Sequence, residues 1–350
     1  MAYRRIGGGW KAAGMIKVDI VVPCFNYGRF LEACVRSVLD QSIRNLRVLI
    51  IDDASTDDSL AIASQLAEAD SRVNIVAHSE NRGHIATYNE GIAWASADYF
   101  LLLSADDLLV PGALERAINV MDANPDVVLT HGRSAIWYDE LEPPKIDMTT
   151  DYTWTRHDLI EEMCEAVKNC VATPTAIART SSQQAVGGYR ASLPHSGDME
   201  MWLRLAARGA VVRIDTVQAV YRKHSNAMSN AFFEEILSDY RQRKLALDSF
   251  FDEYESDLPA SRRLRARALN NLAQEAFSRG IGFLRRGRFY GGFELIGWSM
   301  DLNSRLRYFP PFWQLLKIPG PDGRKWARSV ARQVSRKILG QQASDQERTR

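Results

Sequence analysis

The chain has 350 residues and a formal charge of +1, with 46% apolar and 25% charged residues. These are the values of an ordinary globular protein, enough for one large domain or a domain with an appendage. They exclude an acidic tail-bearer and give no sign of nucleic-acid binding. No apolar run reaches the roughly 18 residues of a spanning helix. The 4 cysteines (Cys24, Cys34, Cys164, Cys170) make no CxxC pair and read as reduced thiols of a cytoplasmic protein.

Residues 1–16 are basic and glycine-rich without the apolar centre of a signal peptide. They are expected to be a disordered arm, with Met15 as an alternative start. Val18 to Pro23 is a β-branched run and predicts a buried strand. Phe30, Leu31, Cys34, Val35, Val38 and Leu39 follow at helical spacing. A second strand, Leu46 to Ile51, stops at Asp52-Asp53-Ala54-Ser55-Thr56-Asp57. A helix from about Ser59 to Ala69 and a strand from Val73 to Ala77 come next. Asn81-Arg82-Gly83 is a turn opening a helix through Ala95. The fourth strand, Tyr99 to Leu103, ends in Ser104-Ala105-Asp106-Asp107. Pro111 suits the first position of another helix, and Val127 to Thr130 is a further strand.

Strands alternating with helices imply a mainly parallel α/β sheet flanked by helices, and such sheets bind ligands beyond the carboxyl ends of their strands. Both acidic pairs fall at that edge. Beyond it, residues 133–152 read as a polar loop. A helix near Asp158 to Val167, a strand-like run from Val171 to Ala178 and the break Gly187-Gly188-Tyr189 follow. Ser196-Gly197-Asp198-Met199-Glu200 leads a helix carrying Met201, Trp202 and Leu205, which Gly209 can stop. Short strands at Val211 to Ile214 and Val217 to Tyr221 run into Arg222-Lys223-His224. From residue 230 the pattern is helical. Residues 322–339 read as a basic amphipathic helix, packed on its own domain or lying on an anionic membrane surface.

Each acidic pair by itself fits a turn or a helix cap. Two pairs on one sheet edge fit better with a ligand that needs charge compensation. Moving a sugar off a nucleotide diphosphate requires recognition of the nucleotide, neutralisation of the leaving diphosphate and deprotonation of the acceptor hydroxyl. Carboxylates with a divalent cation meet the first two needs, and a carboxylate beside the acceptor meets the third.

The segments VVPCFNYGRFLEACVRSVLDQS, IIDDASTDDS, NRG and LLLSADD together resemble family 2 glycosyltransferases of the GT-A fold, from about Val18 to His131 and more loosely to Ser229. The resemblance implies inverting transfer, usually from a UDP-sugar, with Mg²⁺ or Mn²⁺ bound. It places Pro23 and its neighbours Phe25 and Asn26 under the nucleotide base and Asp53 on the base's imide N–H. Asp106 falls on the ribose or sugar, and Asp107 on the metal. Asp198 is similar to the general base of the family, with Glu200 as second choice. His224 would help hold the metal or phosphate, and Arg222 and Lys223 would bond phosphate oxygens. Ala54 departs from the usual glycine after the paired acids, leaving any need for positive φ there unmet. Tyr88 stands where many relatives carry arginine, which passes that role to Arg82.

The resulting expectation is a nucleotide-sugar-binding half over residues 17–132, an acceptor half over 133–229 and a helical region over 230–350. The acceptor is a saccharide or lipid-linked, and the enzyme is cytoplasmic or peripheral on the inner face of the membrane. Two alternatives stay open. One is a sugar nucleotidyltransferase, whose glycine- and arginine-rich loop is not matched by Cys24 to Arg29. The other is a non-catalytic nucleotide-sugar-binding or scaffold protein.

Overall fold

The computed structural model describes residues 17–146, 152–225, 227 and 236–307. The chain forms two compact units, Met1–Ala268 and Leu269–Arg350. The first holds a nine-stranded sheet whose strands, counted along the chain, lie in the order third, second, first, fourth, eighth, sixth, ninth, fifth, with the seventh added to the ninth.

The first half of the sheet is built from β1 (Val18–Cys24), β2 (Leu46–Asp52), β3 (Val73–Ala77) and β4 (Tyr99–Leu102), all parallel. Val18, Ile20, Val22, Val48, Ile50 and Leu101 are fully buried, as strands covered on both faces require. Between them run α1 (Gly28–Leu39), α2 (Ser59–Ala69) and α3 (His84–Trp94). Phe30, Leu31, Cys34, Val35, Val38 and Leu39 of α1 are all buried, which is the face its sequence spacing predicts. Cys24 pairs with Asp52, and Val21 with Leu102. The loops after β1, β2 and β4 therefore leave the sheet side by side, and the site is built there.

The second half contains β5 (Leu108–Leu109), β6 (Val127–Tyr138), β7 (Trp154–His157), β8 (Ile177–Arg179) and β9 (Ala210–Lys223). β6 and β9 are parallel to each other, while β8, β5 and β7 run against their neighbours. The sheet is thus mixed but mainly parallel, flanked by helices as the sequence pattern predicts. The helices here are α4 (Ala113–Ala123), α5 (Leu159–Ala166), α6 (Thr180–Val186), α7 (Gly197–Ala206) and α8 (Ile236–Tyr254).

Several local expectations are corrected here. The stretch read as a loop from 133 begins as the outer half of β6, where partial exposure on both faces erases the hydrophobic alternation. The two short strands after Gly209 are one strand, β9. Its pairing with β6 absorbs Asp215 and Thr216 through register shifts around Gly132, Arg133 and Ser134. A Cβ on Gly132 would stand 2.5 Å from Gln218 Cγ and 3.1 Å from the Ile214 carbonyl, so the irregularity needs glycine. The strand expected over 171–178 is a turn of 3-10 helix, Thr173–Thr175, followed by β8. Pro111 lies in the turn before α4, which starts at Ala113 behind Gly112 at φ 75.

α9 (Ser261–Arg285) runs through the division between the units, and α10 (Phe289–Leu302) follows it. In the second unit Ala273, Phe277, Ile281 and Leu306 form a small core with Ile296, Met300 and Leu302. No described helix is long and apolar enough to cross a membrane. The arm over residues 1–16 and the helix expected over 322–339 lie outside the described residues.

Candidate active site

The loops after β1 and β2 are bonded into one floor. Asn26 N–H donates to Ser55 Oγ at 2.9 Å, and Thr56 N–H donates to Asn26 Oδ1 at 2.7 Å. Gly28 N–H donates to Asp57 Oδ2 at 3.0 Å. A Cβ on Gly28 would lie 2.2 Å from Asp58 Oδ1 and 3.0 Å from the Ser59 backbone nitrogen, so any larger residue at the start of α1 would have to push the second loop or its aspartate aside. Asn26 and Ala54 both take left-handed backbone, at φ 58 and φ 59. Asparagine tolerates that region, whereas alanine pays a steric penalty of about 1–2 kcal/mol. The positive φ that the glycine usual at position 54 would serve is therefore present in this chain, and Ala54 adopts it.

Asp53 points into the cavity at this floor and is held from one side. Its Oδ1 faces His78 Nδ1 at 2.6 Å and accepts Arg82 N–H at 2.8 Å, while its Oδ2 accepts Gly83 N–H at 2.9 Å. His78 continues to Glu90 at 3.0 Å. Arg82 contributes this backbone N–H, and its guanidinium turns away to Glu90 at 2.7 Å. Asp52 is buried behind the floor, accepting Ser55 N–H at 3.2 Å through Oδ2, and its Oδ1 has no hydrogen-bond partner among the described residues.

Asp106 and Asp107 sit beyond β4 on a turn closed by Asp107 N–H to the Ser104 carbonyl at 3.0 Å. β9 supports that turn from behind. Arg222 donates its backbone N–H to Asp107 Oδ1 at 3.0 Å and its Nε–H to the Asp106 carbonyl at 3.1 Å. Its guanidinium stacks over Trp137 at 3.8 Å and Phe30 at 4.7 Å and pairs with Asp139 at 3.1 Å. His224 places Nε2 3.1 Å from Asp106 Oδ2, with its ring against Phe30 and Tyr27. Lys223 is exposed beside Tyr138. Arg222 and His224 thus hold the acidic turn, while Lys223 does not contact it, and none of the three is among the residues lining the cavity in front of it. Burial, followed by the charge of Asp106, holds the Asp107 carboxyl well above the usual carboxylate range.

Two cavities meet at Asp107. One, of about 570 Å³, is lined by Pro23, Phe25, Asn26, Asp53, Asp106 and Asp107 among others. The second, of about 360 Å³, contains Asp198, Thr173, Tyr189, Lys168, His84 and His195. His84, Tyr88, Ser104, Asp107 and Tyr221 belong to both walls. Asp198 stands in the first turn of α7 and accepts from Thr173 Oγ1 at 2.6 Å and from the Tyr189 hydroxyl. Desolvation raises its pKa, against the two hydrogen bonds and the nearby imidazoles of His84 and His195. A carboxylate made more basic in this way suits proton abstraction.

Glu200, two residues on, is fully buried and lines neither cavity. Its oxygens go to Arg190 Nε at 2.6 Å and Arg204 Nε at 2.9 Å, and Arg204 reaches on to the carbonyls of Val186 and Gly188. Sequence reasoning singled out neither Thr173 nor Tyr189 as a site residue. The Gly187-Gly188 break is a usable signal: Gly188 lets Asn89 approach, and Asn89 pins Tyr189 through N–H and C=O at 2.6 and 2.9 Å. α8, from the stretch read only as helical, lends Asp239 and Arg243 to the second cavity.

Among the described residues no three His, Cys, Asp or Glu side chains converge as a metal cage. What converges is the pair Asp106 and Asp107, the second disfavoured as an anion by the first. That donor set fits a hard divalent cation, Mg²⁺ or Mn²⁺, which takes few protein oxygens and fills its shell from substrate phosphates and water. The Nε2 of His224 is already within bonding distance of Asp106.

Residues 19–181 match the protein family described as Glycosyl transferase family 2. An uncharacterized glycosyltransferase of Haemophilus influenzae is 25% identical over 223 residues, covering 62% of this chain and 69% of that one. A second protein of that organism is 34% identical over 133 residues, 38% of this chain and 52% of its own length. Among solved structures, S. aureus TarS 1-349 in complex with UDP-GlcNAc superposes with a TM-score of 0.61 at 16% identity, covering 83% of each chain. The mannosyltransferase PcManGT from Pyrobaculum calidifontis, in complex with GDP-Man and Mn²⁺, has a TM-score of 0.55 at 14% identity and covers 93% of this chain and 83% of that one.

Proposed function

We propose that this chain, which belongs to the family 2 glycosyltransferases and has the GT-A fold, transfers a sugar from a nucleotide diphosphate-sugar to a hydroxyl of a saccharide or lipid-linked acceptor with inversion. The observation that carries the reading is the meeting of two cavities at Asp107, with Asp53, Asp106 and Asp107 on one side and Asp198 on the other. The relatives bound to UDP-GlcNAc and to GDP-Man support a nucleotide-sugar as donor.

In this reading the donor occupies the larger cavity. Asp53, fixed by His78 and two backbone N–H groups, accepts the ring N–H of the base, and Pro23, Phe25 and Asn26 lie under the ring. Asp106, oriented by His224, bonds the ribose or the sugar. Asp107 would hold a divalent cation, which when bound would neutralise charge on the departing diphosphate. The acceptor enters the smaller cavity, and Asp198 removes the proton of its attacking hydroxyl. Thr173 and Tyr189 keep the Asp198 carboxylate aimed while its raised pKa makes it an effective base. Arg222 acts from behind the acidic turn, and Glu200 braces α7. The two cavities meet at Asp107, so in this reading the acceptor oxygen attacks the anomeric carbon from the face opposite the diphosphate. The new C–O bond forms as the bond to the diphosphate breaks, Asp198 takes the hydroxyl proton, the nucleotide diphosphate leaves, and the configuration inverts without a covalent sugar-enzyme.

The test is binding and hydrolysis of a panel of nucleotide sugars with and without Mn²⁺. Cation-dependent binding of one donor, lost in Asp107→Ala and kept in Asp198→Asn with turnover abolished, is expected. No donor binding under any condition overturns the transferase reading in favour of a non-catalytic one.

A further inference from the structure

We infer that the turn joining α9 and α10 in the second unit is a docking surface for an anionic phospholipid membrane. α9 closes with Gly287 N–H on the Leu284 carbonyl at 3.1 Å and Arg288 N–H on the Phe283 carbonyl at 2.9 Å, and Gly287 takes φ 75. α10 then buries Gly292, Leu295 and Ser299. A Cβ on Gly280 would stand 2.8 Å from the Gly292 carbonyl, so the two helices approach closely along this face. Helical spacing turns Phe289, Tyr290 and Phe293 to the other side, and they are 62%, 84% and 63% exposed. Three large rings standing in water on one face form an apolar patch that needs a counterpart.

The charge around the patch specifies that counterpart. Between Glu275 and Glu294 the sequence contains no acid, but it carries Arg279, Arg285, Arg286 and Arg288. None of the four makes an ion pair among the described residues. The guanidinium groups of Arg279, Arg286 and Arg288 instead surround the Phe283 ring at 6.0, 5.7 and 5.5 Å. Every residue from Arg285 to Tyr290 is exposed. Aromatic rings seat at headgroup depth, and arginines bond lipid phosphates while their charge is attracted to an anionic leaflet. A protein partner would need a recess lined with carboxylates to receive the end of a helical hairpin. A bilayer supplies both the apolar layer and the phosphates.

The full chain is sedimented with vesicles of phosphatidylcholine alone and of phosphatidylcholine mixed with phosphatidylglycerol. Two triple variants are compared with wild type: Phe289→Ser with Tyr290→Ser and Phe293→Ser, and Arg285→Gln with Arg286→Gln and Arg288→Gln. Arg262→Gln, an exposed arginine of the first unit, is the control. Wild type and the control are expected to bind the mixed vesicles and not the neutral ones. Each triple variant should partition about tenfold less or weaker still, with its circular dichroism unchanged. Wild type that ignores both vesicle types, or triple variants that bind as wild type does, would overturn the assignment. So would self-association of wild type, lost in the variants, without vesicle binding, because the patch would then meet a second copy.

Discussion

The cavity proposed for the donor (the donor side) and the cavity proposed for the acceptor (the acceptor side) are assembled on different principles. On the donor side every functional residue lies within a few residues of the end of a parallel strand. The sheet register alone brings Pro23, Asp53 and Asp106 together. On the acceptor side Asp198 depends on Thr173 from a 3-10 turn and on Tyr189 from a loop pinned by Asn89 of α3. One half reuses a repeated local unit, and the other is a convergence of distant segments. The acceptor side should therefore be the easier one to disturb from afar.

Asp198→Asn gives the sharpest separation of the two sides. Removing the proposed general base is expected to cost about 10²–10⁴ in kcat, with donor affinity measured by calorimetry unchanged. Equal losses of donor binding and turnover would merge the two sides and break the comparison. Glu200→Gln tests the neighbouring acid, which stands in a buried pair with Arg190 and Arg204. Leaving those arginines without their carboxylate should lower unfolding free energy by about 3–5 kcal/mol, read from urea denaturation. The pH profile of the folded variant should match wild type, and a profile moved as in a general-base variant would return Glu200 to the chemistry.

Asp107→Asn is predicted to act in opposite directions on activity and stability. The folded-state pKa of Asp107 is raised, so the folded protein holds this proton more tightly than the unfolded chain does. The stability it contributes is present below the unfolded carboxylate pKa and is lost as pH rises through the folded one. With neither donor nor cation, the asparagine variant should melt about 2–4 °C above wild type at neutral pH, while cation-dependent donor binding disappears. A lower melting temperature would mean that the Arg222 N–H bond needs the anion.

Thr173→Val removes a hydrogen bond that favours ionised Asp198. The base must be ionised to act, so activity falls as pH drops through its pKa, and the variant's acid limb should move to higher pH. A kcat about tenfold lower at neutral pH with unchanged KM for donor is expected. An unmoved limb would show that Thr173 only packs. The smallest effect belongs to the donor floor. Ala54→Gly should stabilise the protein by about 1 kcal/mol by relieving the left-handed alanine, without change in donor affinity.

Legibility in the sequence follows the same division. Buried parallel strands are continuous β-branched runs, and the loops ending them carry their acids in fixed order. The four parallel strands, the intervening helices and the placing of Asp53, Asp106 and Asp107 at one edge were therefore readable without coordinates. The acids before α7 ranked Asp198 ahead of Glu200 only through the family resemblance. Their surroundings differ by the direction each takes off α7, one toward Thr173 and Tyr189 and the other toward Arg190 and Arg204. The contacts that Arg222 and His224 make with Asp107 and Asp106 were equally illegible, since a basic run after a strand does not show which acids it meets.

Composition and periodicity thus determined the layered α/β architecture, the helical C-terminal region and the edge where ligands gather. These depend on burial and on short-range backbone preference, which each segment carries within itself. Tertiary structure alone decided the length of β6 and β9, the left-handed Ala54, the role of α8 in the second cavity and the partners of Asp53, Asp106, Asp107 and Arg222. Those charges are placed by what else is buried beside them, and their neighbours come from elements far away in the chain.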